Sequence, residues 1–148
     1  MTDDPLYRRE LLRLAADALG AGTLPAPDAA ATAHNPACGD RVRVELALAD
    51  GRVSALAHST QACVLTQASA ALLAGQAPGH DRAGLAALAA SVQAFLNGAP
   101  APQGYGVFDG VAAHAGRHVC VLLPFEAALK ALEDTKPSTA GAQGQPGT

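Results

Sequence analysis

One short loop carries the residue types most suggestive of chemistry in this sequence. Cys38 and Asp40 flank Gly39, and the turn-forming pair Asn35-Pro36 comes just before them. Gly39 permits a tight backbone turn, so the thiol and the carboxylate can face the same point. A soft ligand and a hard ligand that converge on one loop indicate metal binding.

The two other cysteines of the sequence, Cys63 and Cys120, complete a possible ligand set with Cys38 and Asp40. Three thiolates and one carboxylate would form a four-ligand, roughly tetrahedral site. The alternative for each cysteine is a small buried core residue, which free cysteines often are. Because the cysteines are three in number and widely spaced, a disulfide framework is disfavoured, and a reducing, cytoplasmic location is expected.

A predicted β-hairpin explains how Cys38 and Cys63 come together. Apolar and polar residues alternate over residues 42–49, which is typical of a strand with one buried face. The Asp50-Gly51 pair that follows favours a two-residue turn, and residues 53–59 then form the antiparallel return strand. The hairpin therefore places the loop before its first strand beside the segment after its second.

The remaining elements are helices and one further strand. Helices are predicted over residues 6–19, 63–75 and 84–97 and from about Pro124 to residue 134, with a short first strand over residues 29–34 and an irregular stretch over residues 99–110. Cys63 would begin its helix, where free N–H groups favour a thiolate, and Cys120 would lie just ahead of the last helix. The fold class predicted is α+β: about three antiparallel strands packed with helices, with the metal site at one end.

Length and composition set the outer limits of the interpretation. The 148 residues are most simply one domain over residues 1–134, followed by a Gly/Pro/Ser/Thr/Gln-rich tail, residues 135–148, that is expected to be disordered. The net charge is −3 and no basic stripe occurs, so a nucleic-acid partner is not expected. No apolar run approaches the roughly 20 residues of a membrane span, and the acidic first residues do not form a secretory signal.

Three motifs in order give the sequence a specific resemblance. The Cys38-Gly39-Asp40 loop, residues 63–70 and residues 117–125 resemble the three cysteine motifs of the IscU/SufU/NifU-N family of iron–sulfur assembly scaffolds. The resemblance extends over roughly residues 6–134. It implies a SufE/IscU-like fold and a scaffold that receives sulfur from a cysteine desulfurase, builds a transient [2Fe–2S] cluster and transfers it to apo iron–sulfur proteins.

The resemblance also implies roles for single residues. Cys38, Asp40, Cys63 and Cys120 would hold the cluster or metal, with Asp40 as the weak ligand that keeps the cluster exchangeable. Cys63 and Cys120 are the candidates for accepting sulfur. A protein of this kind is more a scaffold than an enzyme, and a cysteine hydrolase is disfavoured because no cysteine has a histidine–acid pair at suitable spacing.

The segment before Cys120 indicates the SufU-like branch of the family. Gly110-Val111 followed by Arg117 matches that branch in spacing, which implies that Arg117 lies beside the site and offsets its negative charge. His118 precedes Cys120 by two residues, so in an extended segment it would point to the same side and approach the metal; a plain surface histidine is an equal alternative. The Leu-Pro-Pro-Val-Lys motif of IscU-type members is missing.

The same comparison shows a further difference between this sequence and the family and implies a second possible function for the chain. Of the family's His-Tyr-x-x-Pro-Arg-Asn-x-Gly segment, only Gly22 remains when residues 14–22 are aligned to it, which puts the usual partner contacts of that segment in doubt. Some SufU-like members are zinc-containing sulfur acceptors, that is, sulfurtransferases that partner a cysteine desulfurase. The same four ligands serve both functions, since zinc and iron–sulfur clusters both accept sulfur-rich sets.

Overall fold

Three antiparallel strands in chain order form one sheet in the computed structural model, which describes residues 9–37 and 39–135 and side chains up to residue 133. The strands are β1 (Ala29–Asn35), β2 (Asp40–Ala49) and β3 (Arg52–Gln61). The helices are α1 (Arg9–Asp17), α2 (Val64–Gln76), α3 (Arg82–Leu96) and α4 (His118–Thr135), with 3₁₀ segments at Tyr105–Ala113 and Ala115–Arg117. The predicted α+β class with a three-stranded antiparallel sheet is confirmed. Cys38, the first residues of the predicted first helix and residues 136–148 of the predicted tail lie outside the described residues.

The β2–β3 hairpin forms as the sequence predicts. Asp50 and Gly51 both have positive φ, 55° and 78°, which is the conformation of a type I′ turn and matches the right-handed twist of the flanking strands. Val42, Val44 and Leu46 alternate toward the helices and are fully buried. The one register shift lies between Ala47 and Leu48 of β2.

The helices cover one face of the sheet. α4 packs across β1 and β2, and α2 lies between α1 and α4. Small residues on α2, such as Ala68 and Ala71, are buried and permit the close approach. At the α2–α4 contact the buried hydroxyl of Ser69 donates to the carbonyl of Val121 at 2.6 Å. No helix within the described residues is long and apolar enough to cross a membrane.

The start of α4 differs from the prediction. Pro124 was expected in the first turn of the helix, but α4 begins six residues earlier, at His118, and contains Pro124 in its interior. Proline has no N–H, so the carbonyl of Cys120 cannot receive the usual helical hydrogen bond. Packing of α4 against the sheet and α2 offsets that loss, and Cys120 consequently lies in the first helical turn rather than ahead of the helix.

Two other boundaries also differ from their predictions. α3 begins at Arg82 because Asp81 caps it: the Asp81 carboxylate accepts a hydrogen bond from the Gly84 N–H at 2.8 Å. The stretch predicted as irregular contains a 3₁₀ segment from Tyr105, whose side chain is fully buried. The ring of Tyr105 lies 6.0 Å from that of Phe108 and 5.9 Å from that of Phe125, so this segment is anchored by aromatic packing.

The hydroxyl of Tyr105 generates a stability prediction. It is buried and has no hydrogen-bond partner among the described residues. An unsatisfied buried hydroxyl costs about 1–3 kcal/mol, so Tyr105→Phe should leave the free energy of unfolding unchanged or raise it. Chemical denaturation measures this, with Phe125→Ala as the control that should destabilise by about 3–5 kcal/mol. A loss above about 1 kcal/mol in Tyr105→Phe would show that the hydroxyl has a partner.

Candidate metal centre

The register of the β2–β3 hairpin brings Asp40 and Cys63 to the same end of the sheet. Arg41 near the start of β2 pairs with Gln61 at the end of β3. Asp40 therefore lies beside the short connection that leads from β3 into α2. The local geometry predicted from the hairpin is the one that the structure has.

Asp40 is held at this end by the β1–β2 turn. It pairs with Asn35 across the turn, and the Gly39 N–H donates to the Asn35 carbonyl at 2.9 Å. Gly39 has φ 73°, a left-handed conformation that favours glycine. Asp40 is only 6% exposed, so its carboxylate is buried at the end of an apolar layer. A buried carboxylate requires charged or hydrogen-bonding partners.

Two helix starts supply the thiols. Cys63 is the N-cap residue of α2 and is half-buried, with its sulfur 3.6 Å from the hydroxyl of Thr66. Cys120 is the third residue of α4 and is fully buried. Its thiol donates to Oδ2 of Asp40 across 3.8 Å. Each sulfur thus lies at the positive end of a helix, where a thiolate is favoured.

The three groups form a compact donor cluster. One ligand atom each from Asp40, Cys63 and Cys120 lies within 4.8 Å of the other two. With Zn–S near 2.3 Å and Zn–O near 2.0 Å, tetrahedral ligand atoms lie about 3.5–3.8 Å apart, so a contraction of about 1 Å is enough to close the site on an ion. Two sulfurs and one carboxylate oxygen fit zinc or an iron–sulfur cluster. Cys38 lies outside the described residues and remains a predicted ligand.

Comparison with known proteins gives the family. Residues 6–113 match the NifU-like N terminal domain, which is most of the chain. The chain belongs to this family. The matched region ends before Cys120, so the placement of Cys120 with Asp40 and Cys63 comes from the structure and not from the family match. No curated protein matches the sequence.

Solved structures agree with the family assignment. The N-terminal part of a nitrogen-fixing NifU-like protein from Brucella abortus is 33% identical, with a TM-score of 0.82 over 89% of this chain and 95% of that one. A putative iron–sulfur cluster assembly scaffold for the SUF system from Fervidobacterium islandicum AW-1 is 16% identical, with a TM-score of 0.77 over 88% and 99%. A hypothetical protein is 20% identical, with a TM-score of 0.71 over 86% and 99%. The last two show the same fold.

The two thiols of this NifU-like domain are not equivalent. The pKa of Cys63 is lowered to about 5, chiefly because the Cys120 thiol donates a hydrogen bond to its sulfur; burial opposes this shift, and N–H and hydroxyl groups of Thr66 and the N–H of Leu65 support it. The pKa of Cys120 is strongly raised, because its proton is held by Cys63 and because burial and the nearby Cys63 and Asp40 charges disfavour a second anion. Cys63 is therefore the thiol that ionises first, and Cys120 is the one that keeps its proton.

Arg117 contacts the donor cluster, whereas His118 lies outside it. The Arg117 side chain hydrogen-bonds to Cys120 and opposes the rise of its pKa. His118 is half-buried and its Nε2 lies 3.1 Å from the Ala112 carbonyl, outside the donor cluster. The expectation of an extended segment was wrong: in a helix, residues two apart differ by about 200° in direction, so His118 does not share a side with Cys120.

Two neighbours of the centre were not identified as site residues from the sequence. Thr66, whose hydroxyl faces the Cys63 sulfur, is recognisable only by its position three residues after a helix-starting cysteine. Asn35 was interpreted solely as a turn former, yet it is buried opposite Asp40. Both roles depend on side-chain direction, which spacing alone does not give.

The difference between the thiols predicts how metal-free protein reacts with iodoacetamide. Because the pKa of Cys63 is about 5, most of this thiol is already thiolate at pH 6, and its alkylation rate should change little between pH 6 and 8. Cys120 should react far more slowly. Trypsin separates Cys38, Cys63 and Cys120 into peptides 14–41, 53–82 and 118–130, so mass spectrometry gives each rate.

Cys120→Ala is the matched variant for this experiment. It removes the hydrogen bond that lowers the pKa of Cys63, so the Cys63 rate should rise with pH over the same range. A wild-type Cys63 rate that increases about tenfold per pH unit, as for an ordinary thiol, would contradict the proton sharing described above.

Proposed function

We propose that this chain is an iron–sulfur cluster assembly scaffold. The observation that carries the proposal is the buried cluster of Asp40, Cys63 and Cys120, with donor atoms within 4.8 Å, in a chain of the NifU-like family. The Fervidobacterium protein, described as a putative iron–sulfur cluster assembly scaffold, supports the proposal through the common fold. The cluster, of [2Fe–2S] type, is cargo that is built on the site and then handed to apo iron–sulfur proteins.

Cys38, Asp40, Cys63 and Cys120 are the proposed ligands. The thiolates supply the soft donors that iron–sulfur clusters and zinc select, whereas the carboxylate is a harder donor that exchanges more readily. Asp40 is thus the ligand that keeps the cargo transferable. Arg117, hydrogen-bonded to Cys120, places a cation beside a ligand set that carries several negative charges.

Sulfur enters at Cys63 in this proposal. Cys63 is half-buried and is the thiolate, whereas Cys120 is fully buried and protonated, so Cys63 is both the accessible and the nucleophilic thiol. The Cys63 sulfur attacks the outer sulfur of a persulfide on a cysteine desulfurase. A new S–S bond forms on Cys63, the S–S bond of the desulfurase breaks, and the desulfurase cysteine leaves as a thiolate. The reducing cytoplasm is the proposed compartment, since this chemistry needs free thiols.

A zinc-dependent sulfur acceptor is the second candidate function. The hydrogen bond between Arg117 and Cys120 favours it, because an arginine at this spacing is the feature by which the sequence resembles the SufU-like branch. In this function the same persulfide transfer to Cys63 occurs, but zinc occupies the remaining ligands and no cluster is built. A cysteine desulfurase is the partner in both functions.

Asp40→Ala separates the roles of the ligands. The variant keeps the soft ligands and loses the exchangeable one, so a cluster assembled on it should persist longer and reach apo-ferredoxin more slowly than from wild type. Both proteins are reconstituted anaerobically, and transfer is followed by the visible absorbance or circular dichroism of the ferredoxin. Asp109→Ala, which removes an exposed carboxylate, is the control and should transfer like wild type.

Two outcomes of this experiment would change the proposal. Transfer from Asp40→Ala at the wild-type rate would remove Asp40 from the role of exchangeable ligand. If neither protein assembles a cluster and both zinc-loaded forms accelerate a cysteine desulfurase, the sulfur-acceptor function replaces the scaffold function.

A further inference from the structure

Asn35 is a buried polar residue at the centre whose side-chain donor has no hydrogen-bond partner among the described residues. It ends β1 and faces the helices together with Ala31 and Ala33, the other buried residues of that strand. It is 7% exposed and pairs directly with Asp40 of β2. Directly opposite residues of an antiparallel pair have side chains about 5 Å apart at Cβ, within reach of each other.

The orientation of the Asn35 amide follows from its neighbours. Its Oδ1 accepts a hydrogen bond from the N–H of Ala37 at 3.3 Å, as in an Asx turn. Because Oδ1 makes this contact within the turn, the Nδ2 atom of the amide points away from the turn. Nδ2 is fully buried and has no hydrogen-bond partner among the described residues.

An unpaired donor at this position differs from the unpaired hydroxyl of Tyr105. Tyr105 lies among aromatic rings, where only burial acts on it, whereas Asn35 lies opposite a carboxylate at the edge of a donor cluster. Leaving a buried donor unpaired is unfavourable, so its presence next to potential acceptors indicates a partner that forms in another state of the site. Closing the cluster on a metal brings the ligand atoms together by up to about 1 Å, and the Asp40 carboxylate is one of the groups that can turn to do so.

We propose that Asn35 is a positioning residue for Asp40: when the centre is loaded, Nδ2 donates a hydrogen bond to the Asp40 oxygen that does not bind the metal. This inference rests on the proposed function of the centre. The hydrogen bond holds the carboxylate to one coordinating oxygen and fixes its direction. Outer partners of this kind typically change metal affinity by about 10–100-fold.

Side-chain amide signals test the proposal directly. The sequence has two asparagines, Asn35 and Asn97, and the loss of one ¹H–¹⁵N pair in Asn35→Asp and of another in Asn97→Asp assigns their side-chain signals. On titration of wild type with zinc, one Asn35 amide proton should move downfield and exchange more slowly with solvent. The Asn97 amide, which donates to the Gln93 carbonyl at the exposed end of α3, should not move.

Asp40→Ala is the matched control for the partner. It removes the proposed acceptor while three thiols remain to bind zinc, so the Asn35 signals should no longer respond to zinc. A buried water that satisfied Nδ2 would do so with and without metal and would leave the Asn35 signals of wild type unmoved. That result would overturn the proposal.

Zinc affinity gives a second readout. Asn35→Asp keeps an oxygen for the Ala37 N–H but replaces the donor with a second carboxylate, so zinc should bind about 10–100-fold more weakly in competition with a chelator dye. Unchanged or tighter binding would count against the positioning role. If Asn35→Asp does not fold, the NMR titration of the wild-type protein with zinc still tests the proposal.

The same titration distinguishes failure of this inference from failure of the proposed function. The ¹³Cβ signals of Cys63 and Cys120 report whether zinc binds at the centre. If they shift and the Asn35 amide does not, only the positioning role is wrong. If they do not shift, zinc does not bind there, and the proposed centre and the role of Asn35 are both overturned.

Discussion

The hydrogen-bonded pairing of β2 with β3 is the constraint on which the centre depends. It fixes Asp40 beside the β3–α2 connection, and so beside Cys63, through backbone contacts alone. β1 pairs with β2, and the turn at Gly39 that joins these two strands lies at the same end of the sheet. α4 packs across β1 and β2 and carries Cys120 to the two other donors. A shift of the β2–β3 register by one residue would turn Asp40 to the opposite face of the sheet.

A proton on Cys120 links the three donor groups of the centre. Cys120 donates toward both the Cys63 sulfur and the Asp40 carboxylate, so the three groups lie together with fewer negative charges than donor atoms. Binding of a cation requires that proton to leave, because the thiolate is the metal ligand. A proton and a cation would therefore compete for this site, and Arg117 next to Cys120 favours the deprotonated thiol.

The sequence was sufficient for those parts of the fold that local pattern determines. The alternation along β2 and the Asp50-Gly51 turn specify a hairpin without any tertiary information, and the juxtaposition of Asp40 with Cys63 follows from it. The start of α4 was not predictable in this way, because Pro124 favours a helix start locally and only packing against the sheet and α2 sustains the turns before it.

The remaining differences at the centre have the same cause. Once α4 begins at His118, that histidine lies on a different side of the helix from Cys120 and bonds to Ala112 instead. The Asn35 amide nitrogen, which has no hydrogen-bond partner among the described residues, could not be identified from the sequence, since a missing hydrogen bond is a property of the packed structure. Residue types and spacing therefore indicated which side chains could be metal donors. The neighbouring groups that orient these donors or shift their pKa values could be identified only from the folded structure.

We propose that Cys63, Cys120 and Asp40 ligate one centre, with Cys38 as the fourth ligand. Zinc K-edge X-ray absorption of stoichiometrically loaded protein tests it most directly. We expect three sulfur neighbours near 2.3 Å and one oxygen near 2.0 Å, with one sulfur fewer in each of Cys63→Ser and Cys120→Ser. A spectrum described by nitrogen and oxygen alone, or a sulfur count that neither substitution changes, would contradict it.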